Sequence, residues 1–164
     1  MRHLTAILCL TLAVLLGSAG VSWSADFRKG YTAYQNGDFA TVLREWRPLA
    51  EQGDAYVQTL LGGMYERGDG VPQDDKTAVK WYKLAAEQGY VDAQSNLGVM
   101  YAFGDGVIQD NVYAHMWANL AASNGSENGG KLRDFVAKKK MTPAGIEDAQ
   151  KLARECVRKK YKGC

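Results

Sequence analysis

The chain has 164 residues, 46% hydrophobic and 10% aromatic, and its 20 Lys and Arg against 18 Asp and Glu leave a net charge of +2. This composition is enough to bury a core and excludes a chain disordered over most of its length.

The first element is short and apolar. Met1, Arg2 and His3 make a basic start, residues 4–16 carry no acid or base, and Gly17, Ser18, Ala19 and Gly20 are small. That order predicts a secretory signal peptide over residues 1–24. Ser22 and Ser24 place small side chains at −3 and −1 of a cut after Ser24, whereas a cut after Ala25 places Trp23 at −3. The apolar run of 13 residues is shorter than the roughly 20 that span a bilayer, which weighs against the alternative of a retained anchor. Cys9 lies inside it. The remaining chain, about 140 residues, suits one domain or one short solenoid and is expected to be periplasmic or secreted.

Residues 25–52 read as a shortened first hairpin: one helix over 26–36, a tight Asn36-Gly37-Asp38 linker, and a second helix over 38–52. Two longer units follow, 53–88 and 89–124. Superposed with a shift of 36, they are identical at seventeen of 36 positions, among them Gln58/Gln94, Leu61/Leu97, Gly62/Gly98, Met64/Met100, Tyr65/Tyr101 and Trp81/Trp117. A period of this length accommodates two helices and two turns. In the first unit, Val57, Leu61, Met64 and Tyr65 recur at helical spacing and predict a helix from Ala55 to Arg67. Gly68 ends it in a left-handed cap, and Asp74 caps a second helix running to about Gln88. Gly62 and Gly98 stand mid-helix, where glycine costs about 1 kcal/mol relative to alanine. Their recurrence predicts that the two helices of each hairpin cross closely there.

Residues 125–164 read as a capping region. A glycine-rich joint (Gly125, Gly129, Gly130) precedes a helix over about 131–139, and Thr142 caps a last helix with Pro143 at its first position. Ile146, Ala149, Leu152, Ala153 and Cys156 give that helix one apolar stripe. Without the signal peptide only Cys156 and Cys164 remain. In an oxidising compartment two such cysteines are expected to pair.

The two long units resemble repeats of the Sel-one-like repeat (SLR) family, relatives of the tetratricopeptide repeats. The shared pattern is A-Q-x-x-L-G-x-M-Y, then G-x-G-V-x-x-D, then A-x-x-W-x-x-x-A-A. Val57 replaces its first alanine, Ile108 a usual proline and Ala118 a usual aromatic. The resemblance implies an all-α, right-handed α-solenoid of stacked antiparallel hairpins, about eight helices in all. It also implies adaptor or scaffold roles, with a concave face built from the first helix of each hairpin. On that face Gln58, Thr59, Gly63, Glu66, Gln94, Ser95, Val99 and Ala102 are the candidate binding residues for a protein or peptide partner.

Little in the sequence carries chemistry. His115 is the one histidine after the signal peptide and stands where the preceding unit has Val79, a half-buried or surface position. Asp69 and Asp105 recur in the GDGV loops, but each loop offers about one carboxylate where calcium needs several oxygens, so they are read as turn formers. Asp110, like Asp74, is read as a cap. Trp81 and Trp117 are read as core rather than as stacking platforms. No G-x-S-x-G, H-E-x-x-H or phosphate-loop pattern is present, so neither catalysis nor a cofactor or metal is expected. Residues 25–130 hold 8 basic and 14 acidic side chains, net −6, whereas residues 131–164 hold 11 and 4, net +7. The basic end is a candidate for peripheral contact with a membrane or cell wall; nucleic acid is not an expected partner. The readings that remain open are an exported interaction module, a peptidoglycan-associated binding protein or regulator, and, by analogy with cysteine-rich SLR relatives linked to β-lactam hydrolysis, an enzyme. Those relatives carry a disulfide in each repeat, and no cysteine lies inside either repeat here.

Overall fold

A computed structural model describes residues 26–164; the expected signal peptide and Cys9 lie outside the described residues. Within them the chain forms eight helices and no strand: α1 (Phe27–Gln35), α2 (Phe39–Glu51), α3 (Ala55–Arg67), α4 (Asp75–Ala86), α5 (Val91–Phe103), α6 (Asn111–Ser123), α7 (Glu127–Lys140) and α8 (Pro143–Arg158). Short polar side chains set most of the starts. Asp26, Asp38, Asp54, Asp74, Asp110, Ser126 and Thr142 each accept a hydrogen bond from a backbone amide of the first turn, satisfying donors that the helix leaves free. Gly68 and Gly104 close α3 and α5 at φ of 76° and 83°, a conformation that favours glycine.

α1 with α2, α3 with α4, and α5 with α6 are hairpins, and α2 on α3 and α4 on α5 stack them into a solenoid. The loop of each long unit abuts the start of the preceding unit's second helix. A Cβ on Gly70 would strike Phe39, and one on Gly106 would strike the backbone of Asp75. In the first hairpin Trp46 is the buried centre. It stacks on Phe27 with ring centroids 5.7 Å apart, and its indole donates to the Phe27 carbonyl at 3.2 Å. Glu45 is buried beside it. An ion pair to Lys29 at 3.0 Å and the Asp26 amide hold its carboxyl below the usual glutamate range.

The mid-helix glycines serve close packing by two different routes. In α3 a Cβ on Gly62 would lie 2.6 Å from the Tyr82 ring of α4. In α5 one on Gly98 would lie 3.3 Å from the Ala114 carbonyl and the Ala118 amide of α6, and 3.2 Å from Leu132. Tyr82 and Ala118 are equivalent positions. The first unit fills the space with a ring, and the second brings the helices together and lets α7 cover the gap.

Four expectations change. α7 starts at Glu127 rather than near Lys131 and runs through Gly129 and Gly130. Gly129 packs on α6, where a Cβ would lie 2.7 Å from that of Ala121, so tertiary contact outweighs the poor helix propensity of glycine. α8 packs on α6, as α7 does, rather than pairing with α7 as a further hairpin. Trp117 is fully buried, but Trp81 is only partly covered, because Tyr82 takes the interior position in its unit. His115 is buried, not half-exposed.

The chain after α8 turns back onto the body. Lys160 and Tyr161 lie in the left-handed region at φ of 53° and 65°, which costs of order 1 kcal/mol each for such residues. The Tyr161 ring rests on Gly89, its hydroxyl accepts from the Asn124 amide at 3.3 Å, and the sulfurs of Cys156 and Cys164 are bonded with Cα atoms 5.7 Å apart.

Two measurements check this account. Gly62→Ala should cost about 1–3 kcal/mol by overpacking, and chemical denaturation should find most of that cost gone in a Tyr82→Ala background, where the ring is absent. Protein isolated without reductant should show no free thiol at Cys156 or Cys164 on alkylation and intact-mass analysis. Replacing both by serine should lower stability by at most about 2–3 kcal/mol, since the closed loop is short.

Candidate binding groove on the first-helix face

The starts of α3, α5 and α7, at residues 55, 91 and 127, fall 36 apart, so α7 continues the phase of the first helices. So do Gly53, Gly89 and Gly125 before them, all with positive φ. Side chains at equivalent positions therefore line up in columns across the three helices. Leu60, Asn96 and Leu132 form one column, Asp92 and Asn128 part of another, and Thr59 and Ser95 a third. Together with Gly63, Arg67, Tyr82, Val99 and Ser126 they enclose a groove of about 540 Å³.

Its polar groups are mostly short. The hydroxyls of Ser95 and Ser126 lie 2.9 Å apart and bridge α5 to the start of α7. Tyr82 reaches under the groove from α4 and donates to Glu66. Burial, then the bond to that carboxylate, push the phenol far above its ordinary value, so it stays a donor. Arg67 stands at the rim, bonded to Asp69 at 2.8 Å and to the Tyr34 hydroxyl at 3.2 Å.

Of the residues expected on this face, Thr59, Gly63, Ser95 and Val99 line the groove. Glu66 lies beneath it, engaged by Tyr82. Ala102 is buried against Ala114 and Val136. Gln58 and Gln94 are buried and do something else. Gln58 donates to the Ala50 carbonyl at 2.8 Å and accepts from the Gln88 amide at 2.8 Å. Gln94 donates to the Ala86 carbonyl at 3.4 Å and accepts from the Asn124 amide at 3.1 Å. Each of these partners is 36 residues from its counterpart. The two glutamines tie each unit's first helix to the end of the helix before it. Leu60, Arg67, Tyr82, Asp92, Asn96, Ser126, Asn128 and Leu132 were not foreseen; continuing the 36-residue phase one half-unit further points to the last three.

Other candidates give no centre for chemistry. His115 is kept neutral by burial and then by nearby Arg133, which lower its pKa, and its Nδ1 has no hydrogen-bond partner. Asp69 is bound by Arg67. Among the described residues no group of three or more His, Cys, Asp or Glu converges as metal ligands.

The family described as Sel1 repeat matches residues 55–90 and 91–126. This chain carries two Sel1 repeats. The Sel1 pair has solved counterparts. A protective antigen of uropathogenic Escherichia coli strains displaying an SLR fold superposes with a TM-score of 0.75 at 29% identity, over 80% of this chain and 29% of its own. A Sel1 repeat protein from Oxalobacter formigenes superposes with a TM-score of 0.67 at 26% identity, over 82% of this chain and 54% of its own. Two proteins similar in sequence are each named exopolysaccharide production negative regulator. The one from Rhizobium leguminosarum bv. viciae is 41% identical over 56 residues, 34% of this chain and 21% of that protein. The one from Rhizobium meliloti is 31% identical over 91 residues, 47% of this chain and 34% of that protein. The matched part thus spans about a third or less of these regulators.

Replacing either buried glutamine of the Sel1 pair should therefore act on stability. Gln94→Leu removes its hydrogen bonds to the Ala86 carbonyl and the Asn124 amide, and Gln58→Leu removes those to the Ala50 carbonyl and the Gln88 amide. Each should cost about 1–3 kcal/mol in chemical denaturation. A loss of a few tenths would return these side chains to the list of surface binding residues.

Proposed function

We propose that the protein is an exported, non-catalytic interaction module that holds an extended segment of a protein partner in the groove of α3, α5 and α7. The observation that carries this reading is the groove shared by three helices, into which Thr59 of α3, Asp92, Ser95 and Asn96 of α5, and Asn128 of α7 bring polar groups together. Asn96 and Asn128 each offer a donor and an acceptor, the pair of functions that a peptide main chain presents at every residue. The Sel1 repeat family, a scaffold-type solenoid, supports the same class. The residues 1–24, with the layout of a signal peptide, support export to the periplasm or the medium.

A regulatory role in polysaccharide production is the second reading, favoured by the names of the two rhizobial proteins. Under it the groove still binds a protein, the effector that is regulated. Direct capture of a wall glycan is less well served. Tyr82, the one aromatic ring in the groove lining, is 1% exposed and offers no open face for a sugar to stack on.

Filling the groove tests this. Val99 and Asn128 are both exposed, so Val99→Arg with Asn128→Arg should leave the unfolding free energy within about 0.5 kcal/mol of the parent, as surface changes do. A photocrosslinker at position 96 should join a discrete protein in the cell envelope, and the double variant should lose that partner. Crosslinking confined to peptidoglycan fragments would overturn the protein-partner reading in favour of a wall-binding one.

A further inference from the structure

We propose that the end of the molecule formed by the α5–α6 loop and the last turns of α7 is a docking surface for an anionic lipid bilayer. Phe103, Ile108 and Phe135 are its inserted groups, and Lys138 and Lys139 are its headgroup contacts. This goes beyond the groove reading and does not depend on it.

Three large apolar side chains are left in water here. Phe103 is 56% exposed, Ile108 92% and Phe135 43%. They belong to one patch. The Lys140 ammonium stands 4.8 Å from the Phe103 ring centroid and 5.9 Å from that of Phe135. The same ammonium donates to the Ala102 carbonyl at 2.7 Å. The Gln109 amide donates to that carbonyl at 2.9 Å, which brings Ile108, its neighbour in sequence, to the same edge.

The repeat does not require these residues. The positions of Phe103 and Ile108 are Arg67 and Pro72 in the preceding unit, and Arg67 there is ion-paired with Asp69. The second unit places apolar groups where the first places a satisfied charge, at the edge that meets the lysines.

The charge has the sign that a bilayer carrying acidic lipids attracts. Lys138 and Lys139 are exposed and belong to a segment, residues 131–164, with net charge +7, against −6 for residues 25–130. The acids near the patch are Asp134, which pairs with Arg133 at 2.8 Å, and Asp105 on the loop. Lysines beside exposed apolar groups fit a membrane interface, which rewards both insertion and cationic contact. A polyanion rewards the lysines alone. Among the described residues no helix is long and apolar enough to cross a membrane, so the contact is peripheral.

The test is co-sedimentation of the purified chain with vesicles of phosphatidylglycerol and phosphatidylethanolamine, compared with phosphatidylcholine vesicles and with immobilised polyphosphate. Binding is expected to the anionic vesicles and to weaken with salt. Lys138→Gln with Lys139→Gln should reduce partitioning on the order of twentyfold, at about fivefold per lysine. Phe103→Ser with Ile108→Ser should reduce it about tenfold with an unchanged circular dichroism spectrum, since both side chains are exposed. A Phe103→Trp variant should shift its emission to the blue on anionic vesicles. Undiminished binding by the Phe103/Ile108 variant would overturn the proposal. So would equal retention on polyphosphate and vesicles, which would identify a polyanion surface, or no binding to any of them.

Discussion

Two buried amides set the register of the whole array. A helical hairpin of this size cannot cover both its apolar faces, so each unit depends on its neighbour, and apolar contact alone tolerates sliding. Gln58 and Gln94 do not. Each is buried, each donates to a carbonyl in the last turn of the preceding helix, and each accepts from the amide that ends its own unit. Any other register would leave a buried polar group without a partner, at about 1–3 kcal/mol. The groove inherits its regularity from this, because its columns exist only while successive first helices stay in phase.

Within that fixed register the two repeats pack differently. Tyr82 lies against Gly62 and reaches Glu66, so in the first unit a side chain spans the hairpin and the unit's tryptophan is pushed outward. In the second unit Ala118 stands in place of the tyrosine, the α6 backbone comes close to Gly98, and Leu132 of α7 completes the cover. Trp117 is then enclosed, with Ala153 and Cys156 of α8 in the same cluster. A sequence identity of seventeen positions in 36 is compatible with both solutions, because the position that separates them is one of those that differ.

Local rules were legible in the sequence wherever one residue type has one use. The span of α3, the aspartate cap of α4 and the Thr142-Pro143 start of α8 follow from helical spacing, side-chain capping and the fixed φ of proline. What depended on neighbours was not legible. Gly129 and Gly130 read as a break, yet their contact with α6 holds them in a helix. Gln58 and Gln94 read as surface residues of a binding face, because nothing in a single repeat shows that the next unit covers them. His115 and Trp81 exchanged their expected exposures for the same reason. The α7 side of the groove, Ser126, Asn128 and Leu132, was missed because the identity between units fades after Asn124 while the 36-residue phase does not.

The amide ladder also has an end. Continued by one more period, the position of Gln94 falls on Gly130, which has no side chain to offer the Ala122 carbonyl, and the Asn124 amide, bonded to Gln94, donates also to the Tyr161 hydroxyl on the returning tail. In crystallographic terms, the stack is a one-dimensional lattice whose growth face is occupied by a molecule of the wrong kind. A further copy arriving at that face meets a helix with no amide at this position to carry the ladder on. An open-ended stack of self-complementary hairpins is a recipe for fibres, and a helix without the glutamine does not propagate it.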